Sequence, residues 1–136
     1  MAKIGVDLHG VIDDNIKLAK IHLKNLIRDG NTIVIISGPP TNELEAELAG
    51  HGLEERVHYH EVRSVVDHLK SKGAEMWQDE RGRWWTHDEI WWGTKGKICE
   101  ECEVDIMIDD HVEFALGFPD TVLTSFILYE GWGAVL

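Results

Sequence analysis

The sequence predicts an α/β fold, a mainly parallel sheet with helices on both faces. Three observations carry this. Short apolar, β-branched runs such as Thr32-Ile-Val-Ile-Ile36 alternate with stretches of helical spacing. The runs are apolar at successive positions, as strands covered on both faces are. Several of them end in polar residues, where an open α/β sheet gathers its ligands.

Each element has its own signal. Lys3 to Leu8 reads as a first strand ending at an acid, and Gly10 turns the chain. From Ile12 to Arg28, residues Ile16, Ala19, Leu23, Leu26 and Ile27 fall on one helical face, and Gly30 stops it. Thr32 to Ile36 is the second strand, broken by Ser37-Gly-Pro-Pro-Thr41. Thr41 is a candidate cap for a helix to about Ala49, with Glu43 and Glu45 near its positive end. Val57 to His60 is expected as the third strand and Glu61 to Lys72 as a helix. Met76 to Trp85 reads as a hairpin turning near Arg81-Gly82. A helix then starts at Thr86 or at Thr94 and runs to Glu103. Val104 to Ile108 is the fourth strand, ending in Asp109-Asp110, and Thr121 to Leu128 the fifth. Such alternation implies βαβ units.

The 136 residues fit one domain spanning 1–136, with a small hairpin insert at about 74–92. A formal charge of −12 argues against nonspecific nucleic-acid binding, which needs a basic face, and against anionic membrane surfaces. No apolar run approaches the roughly 18 residues of a membrane span. The first residues lead straight into a strand without a signal-peptide layout, so a cytoplasmic address is the expectation. Cys99 and Cys102 are too few for a disulfide framework and fit a reducing compartment.

Three strand ends carry the chemistry: Asp7-Leu-His-Gly10, Ser37-Gly38 and Asp109-Asp110. Carboxylates brought together from the first and fourth strands repel unless a cation neutralises them. Hard oxygen donors with room for water suit Mg²⁺ better than a thiolate-loving metal. The plainer reading of any one such Asp is a turn or cap residue. His111, next to the acidic pair, offers with His9 a transition-metal alternative.

In these segments the chain resembles the haloacid dehalogenase-like hydrolase superfamily, especially its small phosphatases and nucleotidase-like members. The matching pieces are Ile4-Gly-Val-Asp-Leu-His-Gly-Val-Ile12, Ile33-Val-Ile-Ile-Ser-Gly38, Lys95-Gly-Lys-Ile-Cys99 and Asp105-Ile-Met-Ile-Asp-Asp110, in that order along nearly the whole chain. The resemblance implies a Rossmann-like core with a small or absent cap and a Mg²⁺-dependent phosphomonoester hydrolase acting on a small phosphorylated metabolite, a nucleotide among the candidates. Asp7 would be the nucleophile that forms an aspartyl-phosphate. Asp7, the His9 carbonyl, Asp109 and Asp110 would hold the metal, with Asp110 the better candidate for direct coordination. Ser37, Gly38 and following backbone N–H groups would hold phosphoryl oxygens, helped by the next helix's positive end. Lys95, with Lys97 as competitor, would neutralise transition-state charge.

One position departs from the family pattern. A second Asp usually stands two residues after the nucleophile, and here it is His9. An imidazole titrates near neutrality and can serve as acid and base there. The alternative is a catalytically weak phosphate- and metal-binding protein with a regulatory role.

Other features have plainer readings. Trp84-Trp85 and Trp91-Trp92 are expected to cover a thin part of the core or to meet a second copy of the chain, with an aromatic lid over the substrate as the rival. Arg81 and Arg83 are expected in a solvated turn, with contact to a second anionic group as the rival. Cys99 and Cys102 read as helix packing, with Cys102 the more exposed; zinc or redox use would need partners absent from the pattern. His58 and His60 are surface candidates, with a site-lining role for one as the alternative. Glu43, Glu45, Glu47, Glu100, Glu101 and Glu103 read as solvated faces.

Overall fold

A computed structural model describes residues 1–135. Five parallel strands form the central sheet: β1 (Lys3–Val6), β2 (Thr32–Ser37), β3 (Glu61–Ser64), β6 (Ile106–Asp109) and β7 (Ser125–Leu128). Their order is β3-β2-β1-β6-β7. Between β3 and β6 lies a two-stranded antiparallel hairpin, β4 (Trp77–Gln78) and β5 (Trp84–Trp85). The helices are α1 (Ile16–Arg28), α2 (Thr41–Gly50), α3 (Val65–Ser71), α4 (Asp88–Cys102) and α5 (Trp132–Val135). The fold is thus a Rossmann-like α/β sheet flanked by helices. None of the described helices is long and apolar enough to cross a membrane.

The period-two geometry of strands sorts the core into two layers. Ile33 and Ile35 of β2 join Ala19 and Leu23 of α1 and Leu44 and Leu48 of α2 on one face. Val34 and Ile36 face the other way, among Val65 and Leu69 of α3 and Ile98, Cys99 and Cys102 of α4. Burial on both sides is why β2 reads as unbroken apolar residues.

Strand order places the site. The sheet grows from β1 outward to β2 and β3, then restarts beside β1 with β6. At that reversal, chains leaving β1 and β6 diverge to opposite faces and open a crevice at the strands' carboxyl ends. Asp7 follows β1 directly and Asp109 closes β6.

Several expected boundaries move. The third strand is Glu61–Ser64, and Val57–His60 is an irregular approach to it. The helix expected from Glu61 begins only at Val65, after Ser64 accepts a hydrogen bond from the Asp67 N–H as its cap. Short strands without strict alternation share composition with helix starts, which explains the slip. Thr41 does not cap α2; it is the first helical residue, after Pro40, and its N–H donates to Asp67 Oδ2 at 2.9 Å. α4 starts at Asp88, between the two expected starts.

Candidate active site at the β1–β6 crevice

The turn after β1 is shaped by Gly10, whose φ of +87° is open to glycine but strained for other residues. A Cβ there would also stand 2.1 Å from Asp110 Oδ2. This turn therefore fits directly against the loop that follows β6.

Asp7 is buried and held on one oxygen. Its Oδ1 accepts from the Leu8 N–H at 2.9 Å and from Ser37 Oγ at 2.8 Å, and lies 3.2 Å from Lys95 Nζ. Oδ2 takes no hydrogen bond among the described residues. The partly exposed Asp110 stands beside the fully buried Asp109, whose Oδ1 accepts from the His111 N–H at 3.0 Å. Lys95 Nζ donates to Asp109 Oδ2 and sits 4.1 Å from the centre of the Phe114 ring.

Lys95 is almost wholly buried. Burial disfavours its ammonium, but Asp7 and Asp109 outweigh that and hold its pKa above the ordinary lysine value. Burial, with Asp7 in the same sense, pushes the Asp109 carboxyl up against the pull of Lys95. One cation between two buried carboxylates leaves surplus negative charge in a low-dielectric setting.

Asp7, Asp109, Asp110 and His111 each offer a ligand atom, all within 4.8 Å of one another. Three carboxylates and an imidazole at this spacing can hold a divalent cation. The donor set, three carboxylates and one imidazole, is rich in hard oxygen.

Of the two lysines, Lys95 points into the site and Lys97 is exposed on α4. Gly96, between them, explains how α4 comes so close: its absent Cβ would stand 1.8 Å from the Gly117 carbonyl oxygen. The helix thus lies against the short helical turn Val112–Gly117, which carries Phe114 over Lys95.

The His9 ring turns away from the carboxylates. Its Nε2 pairs with Glu47 of α2 at 2.7 Å, and its neighbours are Asp13 and Glu47 rather than His111. The His9–His111 transition-metal pairing is therefore not formed. The expected row of backbone donors after Ser37 is also thinner than the motif implies. Pro39 and Pro40 have no N–H and that of Thr41 is taken by Asp67, so among positions 38–41 only Gly38 can offer one.

Above these groups opens a cleft of about 560 Å³, lined at its base by Asp7, His9, Ser37, Gly38 and Lys95. Its outer wall is aromatic: Trp84, Trp85, Trp91 and Trp92. These rings border the cleft, beyond the core-covering role expected of them, and Arg81 and Arg83 line it as well. Neither His58 nor His60 lines the cleft, and His58 is buried where a surface position is expected. Buried His58 accepts from the Glu54 N–H, and His60 Nδ1 accepts from the Ile33 N–H near the start of β2. Cys99 and Cys102 are free and both buried, so Cys102 is less exposed than expected. Burial pushes the Cys99 thiol up to about 12, which makes it inert as a nucleophile at neutral pH.

Sequence reasoning missed Glu47 as the partner of His9, Phe114 over Lys95, and Trp91 beside Gly38. Each depends on a contact between separate elements, for which the chain has no periodic signal. No protein-family model matches this chain, and no curated protein matches it either.

Proposed function

We propose that the protein is a Mg²⁺-dependent phosphomonoester hydrolase of the haloacid dehalogenase-like kind, working through an aspartyl-phosphate on Asp7. The observation that carries this reading is the buried cluster of Asp7, Lys95 and Asp109 at the sheet's switch point, with Ser37 on Asp7. Asp7 Oδ2, free of hydrogen bonds among the described residues, is the oxygen available to attack phosphorus. As that P–O bond forms, the bond to the leaving oxygen breaks, and the leaving oxygen takes a proton. Lys95 and the Ser37 side face the charge that builds on the phosphoryl oxygens. Mg²⁺, when bound by Asp7, Asp109 and Asp110, would neutralise charge that otherwise repels a phosphate.

His9 lines the cleft and is the candidate proton carrier, a role that requires its ring to swing from Glu47, which holds Nε2, toward the leaving oxygen. The same contact supports a second reading, in which the ring is held aside and phosphate is bound without turnover. His9→Ala and His9→Asp separate the two. Loss of activity in the first variant favours the hydrolase, and a gain of activity in the second favours the binding protein.

Purified protein is expected to release phosphate from p-nitrophenyl phosphate with Mg²⁺ and not with EDTA. Asp7→Asn should reduce the rate about a thousandfold or more, since the variant lacks the nucleophile. Undiminished turnover in Asp7→Asn removes the assignment.

A further inference from the structure

The cleft is much larger than a phosphate needs, and its two halves differ in chemistry. The base is polar and charged, while the mouth is walled by tryptophan. A volume of about 560 Å³ lies within the range of sites that enclose a whole small organic ligand.

The aromatic wall is built in advance. Asp79 accepts four hydrogen bonds at the hairpin tip: from the Arg81 N–H at 2.9 Å, the Arg83 N–H at 3.0 Å, Arg83 Nε at 2.8 Å and Trp85 Nε1 at 2.9 Å. The indole N–H and the Arg83 groups hold its carboxyl well below the usual range, so this clasp stays ionised. Trp85 is thereby fixed against Trp91, their ring centres 5.5 Å apart. Trp91 in turn reaches the phosphate end, 3.2 Å from where a Gly38 side chain would begin. Both hairpin rings carry a cation: Lys70 lies over Trp84 at 4.0 Å, and the Arg83 guanidinium stands farther off, 5.6 Å from the centre of Trp85. Between Arg83 and Trp91, Trp85 still keeps 36% of its surface exposed, an apolar surface already oriented at the cleft.

Arg83 is committed to Asp79. Arg81 lines the same cleft, and its side chain makes no ion pair among the described residues. A cation without a partner at the mouth of a cleft in a chain of charge −12 is a ready receptor for an anion.

We infer that the substrate is a phosphomonoester whose leaving group carries a flat ring, seated on Trp85 and Trp91, and a second anionic group met by Arg81. The phosphate end rests on the hydrolase reading above; the ring and second-anion ends rest on the hairpin and α4. Stacking on an aromatic side chain is sequence- and substituent-tolerant because it uses the π-face alone. Arg81 then separates doubly anionic aromatic esters from singly anionic ones.

Three non-hydrolysable probes test this by calorimetric titration in millimolar Mg²⁺: methylphosphonate, phenylphosphonate and 4-carboxyphenylphosphonate. The phenyl compound should bind about tenfold tighter than the methyl compound. The carboxylate should add roughly a further fivefold. Trp85→Ala should remove the gain from the ring and Trp85→Phe should restore most of it, which a merely unfolded hairpin would not do. Arg81→Gln should remove the gain from the carboxylate alone. Equal affinity for the methyl and phenyl probes overturns the substrate class and leaves the phosphate site standing. Binding of none of the three overturns both. Tight phenylphosphonate binding without turnover of any aryl phosphate keeps the ligand class and removes the hydrolase.

Discussion

Lys95 is the residue on which the site's electrostatics turn. Its ammonium lies between Asp7 and Asp109, all three buried, so each carboxylate depends on it for compensation. Removing one member of a buried ion pair leaves an uncompensated charge, at a cost of about 3–5 kcal/mol. Lys95→Met, similar in volume, should therefore lower unfolding stability by about that amount at pH 7 in metal-free buffer. The pH dependence gives the loss a signature. Asp109 is already pushed upward by burial and by Asp7, and without Lys95 it is pushed further. A carboxyl with a raised folded pKa favours the folded state below its unfolded pKa and loses that advantage as pH rises through the folded value. The variant should thus regain stability relative to the parent on acidification toward pH 4. Urea unfolding at both pH values measures this, and a pH-independent deficit would mean ordinary packing loss. Motif spacing favours Lys95 through the downstream Ile98-Cys99 and leaves Lys97 as a competitor, because both lie on one helix two residues apart. Their opposite burial follows from helix geometry, which turns residues two apart about 200° from each other.

Among the elements, α4 and the turn Val112–Gly117 set how deep Lys95 reaches. The backbones touch at Gly96 and Gly117, where any Cβ on Gly96 meets a carbonyl carbon at 2.6 Å and its oxygen at 1.8 Å. Backbone cannot swing aside as a side-chain tip can. Gly96→Ala should cost about 1–3 kcal/mol or more and weaken phosphate release by displacing Lys95. Gly93, one turn earlier on the same helix, has nothing within 4 Å of its would-be Cβ. Gly93→Ala should be neutral or stabilising by up to about 1 kcal/mol, from helix propensity alone. Equal stability losses in the two variants would show that the close approach is not the cause. Elements with strong periodicity are legible in the sequence: the inward face of α1 matches its spacing, with Ala19 and Leu23 buried and Ile16, Leu26 and Ile27 packed beside them. The region 57–72 is not, because the β3 sequence Glu-Val-Arg-Ser carries neither alternation nor an apolar run. Its pairing with β2 is a tertiary choice, made by the neighbour rather than by local preference.

At the scale of the molecule, the parallel sheet and the strand ends that build the crevice follow from the alternation of apolar runs and helical spacing. The aromatic mouth does not, since only the packing of the hairpin on α4 decides which way the tryptophans face. The whole protein also bears on how metal binding should be measured. With a charge of −12, magnesium will associate loosely with many surface carboxylates, so bulk uptake alone says little about the crevice. Linkage to folding is more discriminating. A ligand that binds only the folded state stabilises it by about 2.7 kcal/mol at a hundredfold excess over its Kd. In a domain of this size that is a Tm increase of roughly 10 °C. Asp7, Asp109 and Asp110 converge only in the folded chain, so saturating Mg²⁺ should produce such an increase and EDTA should reverse it. Asp110→Asn keeps the shape of the site and changes the chain charge by one, which leaves diffuse surface association nearly intact. If the increase belongs to the crevice, that single substitution should abolish most of it. A Tm that rises equally in parent and variant would assign the stabilisation to the acidic surface, and no rise in either would take the metal out of the site.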